Sequence, residues 1–95
     1  MNDLVTWLRG QLARDEQTAQ AMSHAIEHLE SRWSPARLLA DVAAKRAILD
    51  QWESLASAPA DTPGIDLVRQ ELGHAVLALT LPYRNQRGYR QEWTL

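Results

Sequence analysis

The chain has 95 residues, no cysteine, 10 Lys and Arg against 12 Asp and Glu, and 45% hydrophobic residues. That is the length of one domain with a core of its own. The missing cysteine excludes disulfides, zinc–thiolate sites and thiol chemistry, and the slightly negative balance gives the chain as a whole no pull on nucleic acid or anionic membrane. No apolar run approaches the roughly 20 residues that span a bilayer. The first residues also lack the basic-then-apolar order of a signal peptide, so a soluble cytoplasmic protein is expected. Lys45 is the only lysine and phenylalanine is absent, a bias expected of GC-rich coding DNA.

Asn2 or Asp3 can cap a first helix. Val5, Leu8, Leu12, Asp15, Ala19, Met22, Ile26, Leu29 and Trp33 then recur at three- and four-residue steps, a heptad seam interrupted only by Asp15. The spacing predicts a helix over about 3–31, roughly 42 Å long. A helix of that length implies either a hairpin of matched arms or a coiled-coil contact with another chain. Asp15 marks either a bend or a polar residue that sets the register.

The second helix, about 35–57, has the clearest pattern. Ser34 is placed to cap it, Pro35 suits its first position, and Trp33 with Leu38 is spaced as a hydrophobic staple. Leu38, Val42, Lys45, Leu49, Trp52 and Ala56 form one stripe, flanked by Leu39, Ile48 and Leu55. Lys45, inside the stripe, reads as a lysine that lays its methylenes on the core and pairs with Asp41 one turn back. The other reading is a buried functional lysine.

Residues 58–64, Ala-Pro-Ala-Asp-Thr-Pro-Gly, are the one linker. Thr62 and Pro63 repeat the cap-then-proline start, and Pro82 stops a third helix over about 63–81. Its main stripe is Ile65, Val68, Leu72, Ala75, Val76 and Leu79, with Leu67, Leu77 and Leu81 on the other side. No Asp, Glu, Lys or Arg falls between Glu71 and Arg84. A helix apolar all round is covered on more than one side, so either the tail, residues 82–95, or another subunit must cover what two helices cannot. Tyr89 and Trp93 are four apart and would share a face of a last helical turn, which is expected to fold back onto the third helix.

Three blocks of the chain, Asp3-Leu4-Val5-Thr6-Trp7-Leu8, the run from Pro35 to Asp50, and Leu79 to Trp93 ending in Tyr-Arg-Gln-Glu-Trp, resemble a family of small proteins of actinobacteria and their phages known only as a domain of unknown function. The chain departs from that family's pattern in two places. Residues 22–28 continue the helix where the family has a Gly-Pro-Trp segment. Asn85-Gln86-Arg87-Gly88 stands where the family has a short acidic-His-Pro segment. The resemblance implies a bacterial or phage origin, in host cytoplasm, and carries no activity with it.

His24, Glu27 and His28 match H-x-x-E-H, and both histidines would share one helical face. That face points away from the seam, and nothing in the sequence brings a third ligand to it. Arg84, Arg87 and Arg90, interleaved with Tyr83 and Tyr89, are the type of cluster that contacts phosphates and stacks bases, or that rims a packed aromatic group. No phosphate loop, nucleophile elbow or convergent carboxylate cluster is present.

The sequence therefore predicts a single all-α domain, a three-helix antiparallel bundle with a long first helix and a short C-terminal helical turn. The expected function is non-enzymatic, with no cofactor, metal or small-molecule ligand: protein–protein interaction, as a homodimer or against a host or phage protein. The candidate oligomer interface is Leu8, Leu12, Met22, Leu67, Leu77 and Leu81. The candidate partner contact is Arg84, Arg87, Tyr89, Arg90 and Trp93. The alternative is a nucleic-acid accessory protein that uses the Arg/Tyr tail.

Overall fold

The computed structural model describes residues 1–25 and 34–94. Among these the chain forms three helices, α1 (Asn2–Ala25), α2 (Pro35–Ala56) and α3 (Ile65–Ala78), then two single turns of 3-10 helix, Leu81–Tyr83 and Gln91–Trp93, and no strand. The predicted continuation of helix one to about 31, the Trp33 staple and the His24–His28 pair lie outside the described residues and side chains. α1 packs against α2, and α2 against α3, the helical bundle that the apolar stripes predict. The radius of gyration is 15.6 Å, against about 12.4 Å for a compact chain of this length. The elongation follows from helix lengths: α3, with 14 residues, is much shorter than the 24 and 22 of α1 and α2.

The core lies where all three helices and the tail meet. Leu4, Val5, Leu8 and Leu12 from α1, Val42 and Leu49 from α2, Val76 from α3, and Tyr83 and Trp93 from the tail form one buried cluster. The α1 seam and the α2 stripe thus supply its two main walls. Lys45 takes the structural one of its two readings. Its ammonium pairs with Asp41 at 2.9 Å and sits 5.2 Å from the centre of the Tyr83 ring, a snorkelling lysine laid over an aromatic face.

Helix ends follow local chemistry. The Ser34 side chain accepts from the Arg37 backbone N–H, satisfying one of the first-turn donors that the helix itself cannot. α3 starts two residues later than the Thr62–Pro63 pattern predicts. The Thr62 carbonyl accepts from the Ile65 N–H at 3.2 Å, and Gly64 takes φ 75°, so the linker closes as a turn before the helix begins. At the other end of α2, the Arg69 guanidinium reaches back from α3. It donates to the Leu55 carbonyl at 3.0 Å and the Ala58 carbonyl at 2.9 Å. One side chain thereby caps α2 and fixes α3 to it.

Three cross-helix ion pairs join α1 to α2. Arg9 donates to Asp50 at 2.8 Å and to Glu53 at 3.0 Å. Those hydrogen bonds, Asp50 first, hold its guanidinium above its usual range. Arg46 pairs with Glu16 further along. Exposed pairs of this kind contribute little each, so the apolar contacts dominate stability. Leu49, 0% exposed, is the clearest test: Leu49→Ala is expected to lower unfolding free energy by about 2–5 kcal/mol, measured by urea denaturation, whereas Ala47→Ser on the exposed face of α2 should change it by less than about 0.5 kcal/mol.

Candidate functional site

Trp7 organises the C-terminal tail. It lies beside the heptad seam, half-buried and packed against the core cluster, and the tail wraps it. Its ring centroid is 6.3 Å from Tyr83, 6.0 Å from Tyr89 and 5.2 Å from Trp93, with edge-on or tilted geometry in each pair. Such arrangements suit the aromatic quadrupole. Its indole N–H donates to the Arg87 carbonyl at 3.2 Å. Gly88 follows with φ 91°, and a Cβ there would fall 2.6 Å from the indole nitrogen. The backbone can lie flush on Trp7 because that residue has no side chain.

The tail therefore folds onto helix one and not, as its aromatic spacing suggests, back onto helix three. The reason lies partly in Asp15. α1 runs unbroken through it, and its carboxylate accepts from the Tyr83 hydroxyl at 2.5 Å. The polar interruption of the seam is not a bend; it receives the tail. Burial and this hydrogen bond together push the Tyr83 hydroxyl well above its ordinary pKa.

The candidate contact residues separate accordingly. Trp93 is 8% exposed and belongs to the core, so little of it is presented to a partner. Tyr89 is half-buried and shares a hydrogen bond with Thr94 at 2.8 Å. Arg90 lies 3.3 Å from Asp3 and 3.5 Å from Glu92 and its guanidinium is 5.5 Å from the Trp93 ring. Arg84 and Arg87 stay exposed. Of the candidate interface residues, Leu8 and Leu12 are 1% exposed. Both are buried inside the chain's own core. Met22 and Leu77 are half-buried, and Leu77 packs against the core.

Leu67 and Leu81 are different: Leu67 is 63% exposed and Leu81 44%. Val68, predicted on the main stripe of α3, is 46% exposed, because it lines a groove that α2 leaves open. Leu67, Val68, Leu72 and Ala75 of α3 face Leu55 and Gln51 of α2 across an open groove of about 470 Å³, with Glu71 on its outer wall. Sequence reasoning named Leu67 and missed Val68 and the groove. The signal for it in the sequence is the surplus of apolar residues on α3, for which either the tail or another subunit is the expected cover. A second, smaller groove of about 290 Å³ lies at the other side of α2, lined by Asn2, Val5, Thr6, Trp52, Glu53, Ala56 and Ser57.

Among the described residues no group of three His, Asp or Glu side chains is placed to hold a metal ion, and no helix is long and apolar enough to cross a membrane. What the geometry defines is a small all-α protein with a tail-locked core and an uncovered apolar groove. The chain belongs to a family described as one of unknown function, DUF6221, which it matches over residues 1–95. No curated protein and no solved structure matches it.

Two outcomes follow from the tail. Gly88→Ala forces a side chain into Trp7 at a positive φ, so it is expected to lower stability by about 1–3 kcal/mol and to shift tryptophan emission to the red, as Trp7 and Trp93 gain water. Raising pH tests Tyr83. An unfolded tyrosine ionises near pH 10 while the folded Tyr83 holds its proton longer, so its contribution is fully present below that pH. It is lost as pH rises further, at up to about 1.4 kcal/mol per pH unit. Chemical denaturation from pH 9 to 11 should show this slope, and Tyr83→Phe should reduce it.

Proposed function

We propose that this protein is non-enzymatic and works by binding protein, either a second copy of itself or a protein of its host, through the outer face of α3 and the α2–α3 groove. The observation that carries this reading is the exposure of Leu67 and Val68, at 63% and 46%, beside Leu55, Leu72 and Ala75. Contiguous apolar surface with a polar rim is costly to leave in water and marks interaction sites. A groove between two antiparallel helices also has the width and the walls to take a third helix. Bacterial or phage origin and residence in the host cytoplasm complete the proposal, supported by the resemblance of the three sequence blocks and the arginine bias.

Nucleic-acid binding by the tail draws less support. Its aromatic rings pack on Trp7 and on each other, so they are not presented for stacking on bases. Arg90 is held by Asp3 and Glu92, which leaves two exposed tail arginines, and phosphate affinity scales with the number of charges neutralised.

The test is Leu67→Glu with Val68→Glu. Both positions are exposed, so helix content should be unchanged by circular dichroism. Light scattering on the purified chain and affinity purification from cells of the source organism should both be run. The double variant is expected to lose the assembly, or the specifically bound protein, that the unmodified chain shows. An unmodified chain that is strictly monomeric and retrieves nothing that the double variant does not also retrieve would overturn the reading.

A further inference from the structure

The outer surface of α3 carries a pattern that complements itself. Leu67, Glu71, His74 and Ala78 recur at four-, three- and four-residue steps, so they form one stripe at helical periodicity. Leu67, Glu71 and His74 are exposed and Ala78 is half-exposed. None of these side chains has a hydrogen-bond or ion-pair partner among the described residues. The stripe adjoins the apolar groove, since Leu67 and Glu71 also form its outer wall.

Two copies of this helix laid antiparallel about a two-fold axis between positions 71 and 74 pair Leu67 with Ala78 of the second copy, and Glu71 with His74. Each pairing occurs twice, as an isologous contact requires. The large residue meets the small one, and the acid meets the imidazole. An imidazole N–H can donate to a carboxylate in either protonation state, so the pairing does not depend on the charge of His74. No like charges oppose one another along the stripe. The charged residues of the same helix, Asp66 and Arg69, sit elsewhere: Asp66 is on another side of the helix by the 100° rule, and Arg69 is bound to the α2 carbonyls.

We infer that the occupant of this face is a second copy of the chain, with α3 packed antiparallel on α3 so that Glu71 of each copy pairs with His74 of the other. This rests on the proposed function and narrows it from protein binding to a specific two-fold seam. α3 has 14 residues and is about 21 Å long. A contact of that length is smaller than the roughly 1,600 Å² of a standard interface, so the dimer dissociates on dilution.

Charge exchange tests the register. Glu71→Lys alone places lysine opposite histidine twice, and His74→Glu alone places two acids opposite each other twice. Each single variant is expected to weaken self-association at least tenfold in sedimentation equilibrium while keeping its helix content. An equimolar mixture of the two should recover the dimer mass. The lysine introduced in one chain then meets the glutamate introduced in the other, while the unmodified His74 and Glu71 still face each other. Native mass spectrometry should show the mixed species in excess of either homodimer. A mixture that stays monomeric, or single variants that dimerise as tightly as the parent, would overturn the seam. The Leu67→Glu, Val68→Glu chain separates the two levels. If it alone abolishes the dimer while the charge variants do not, the face is the interface but the register is wrong. If the parent chain is monomeric at millimolar concentration, self-pairing is excluded.

Discussion

The structure depends on how Trp7 is covered. An indole at the edge of the α1 seam, packed against the core, needs cover on its other side, and the segment that reaches it is the tail. The tail supplies three aromatic rings, a backbone carbonyl for the indole N–H, and a glycine that lets the chain lie against the ring. Ring contacts at these separations contribute beyond their burial, and the Asp15–Tyr83 hydrogen bond fixes where along α1 the tail begins its return. The tail's rings join Val76 in the core but leave Leu67 and Val68 of α3 uncovered. The tail packs on Trp7 while the Leu67–Val68 face of α3 stays open.

That link explains what was legible in the sequence and what was not. The helices of the hairpin were readable because each carries a single apolar stripe at 3.6-residue spacing, and Ser34–Pro35 is an unambiguous start. The surplus of apolar residues on α3 was equally readable, as was the need for some cover. The choice of cover was not. Tyr89 and Trp93 are four apart, which predicts a shared helical face, but their partner is a residue some eighty positions earlier. Periodicity reports which side of an element is apolar and says nothing of which distant element meets it. Asp15 illustrates the same limit. As a break in a seam it has several local explanations, and the correct one required Tyr83.

The start of α3 shows a smaller, local form of this competition. Thr62–Pro63 is a fair helix start by residue type, yet the same residues followed by Gly64 also close a turn. The turn prevails because Gly64 can take φ 75° and the Thr62 carbonyl finds the Ile65 N–H. The result is a helix short enough that Arg69 stands opposite the end of α2 and caps it. Propensity supplies the candidates at such junctions, and hydrogen bonding among neighbours decides between them.

The distribution of charges bears on function as much as the apolar groove does. Arg9, Arg46, Lys45, Arg69 and Arg90 each bind a group of the chain's own, on α1, α2 or the tail. These contacts hold the hairpin in register, cap α2 and tie the tail to the N-terminus. Asp15 and Tyr83, a part-buried pair that bridges distant parts of the chain, bond to each other. Among the described residues, α3 presents outward a strip bearing leucine, glutamate, histidine and alanine beside an apolar groove. Surface of that composition offers shape and a few directional contacts, the means by which one helix recognises another.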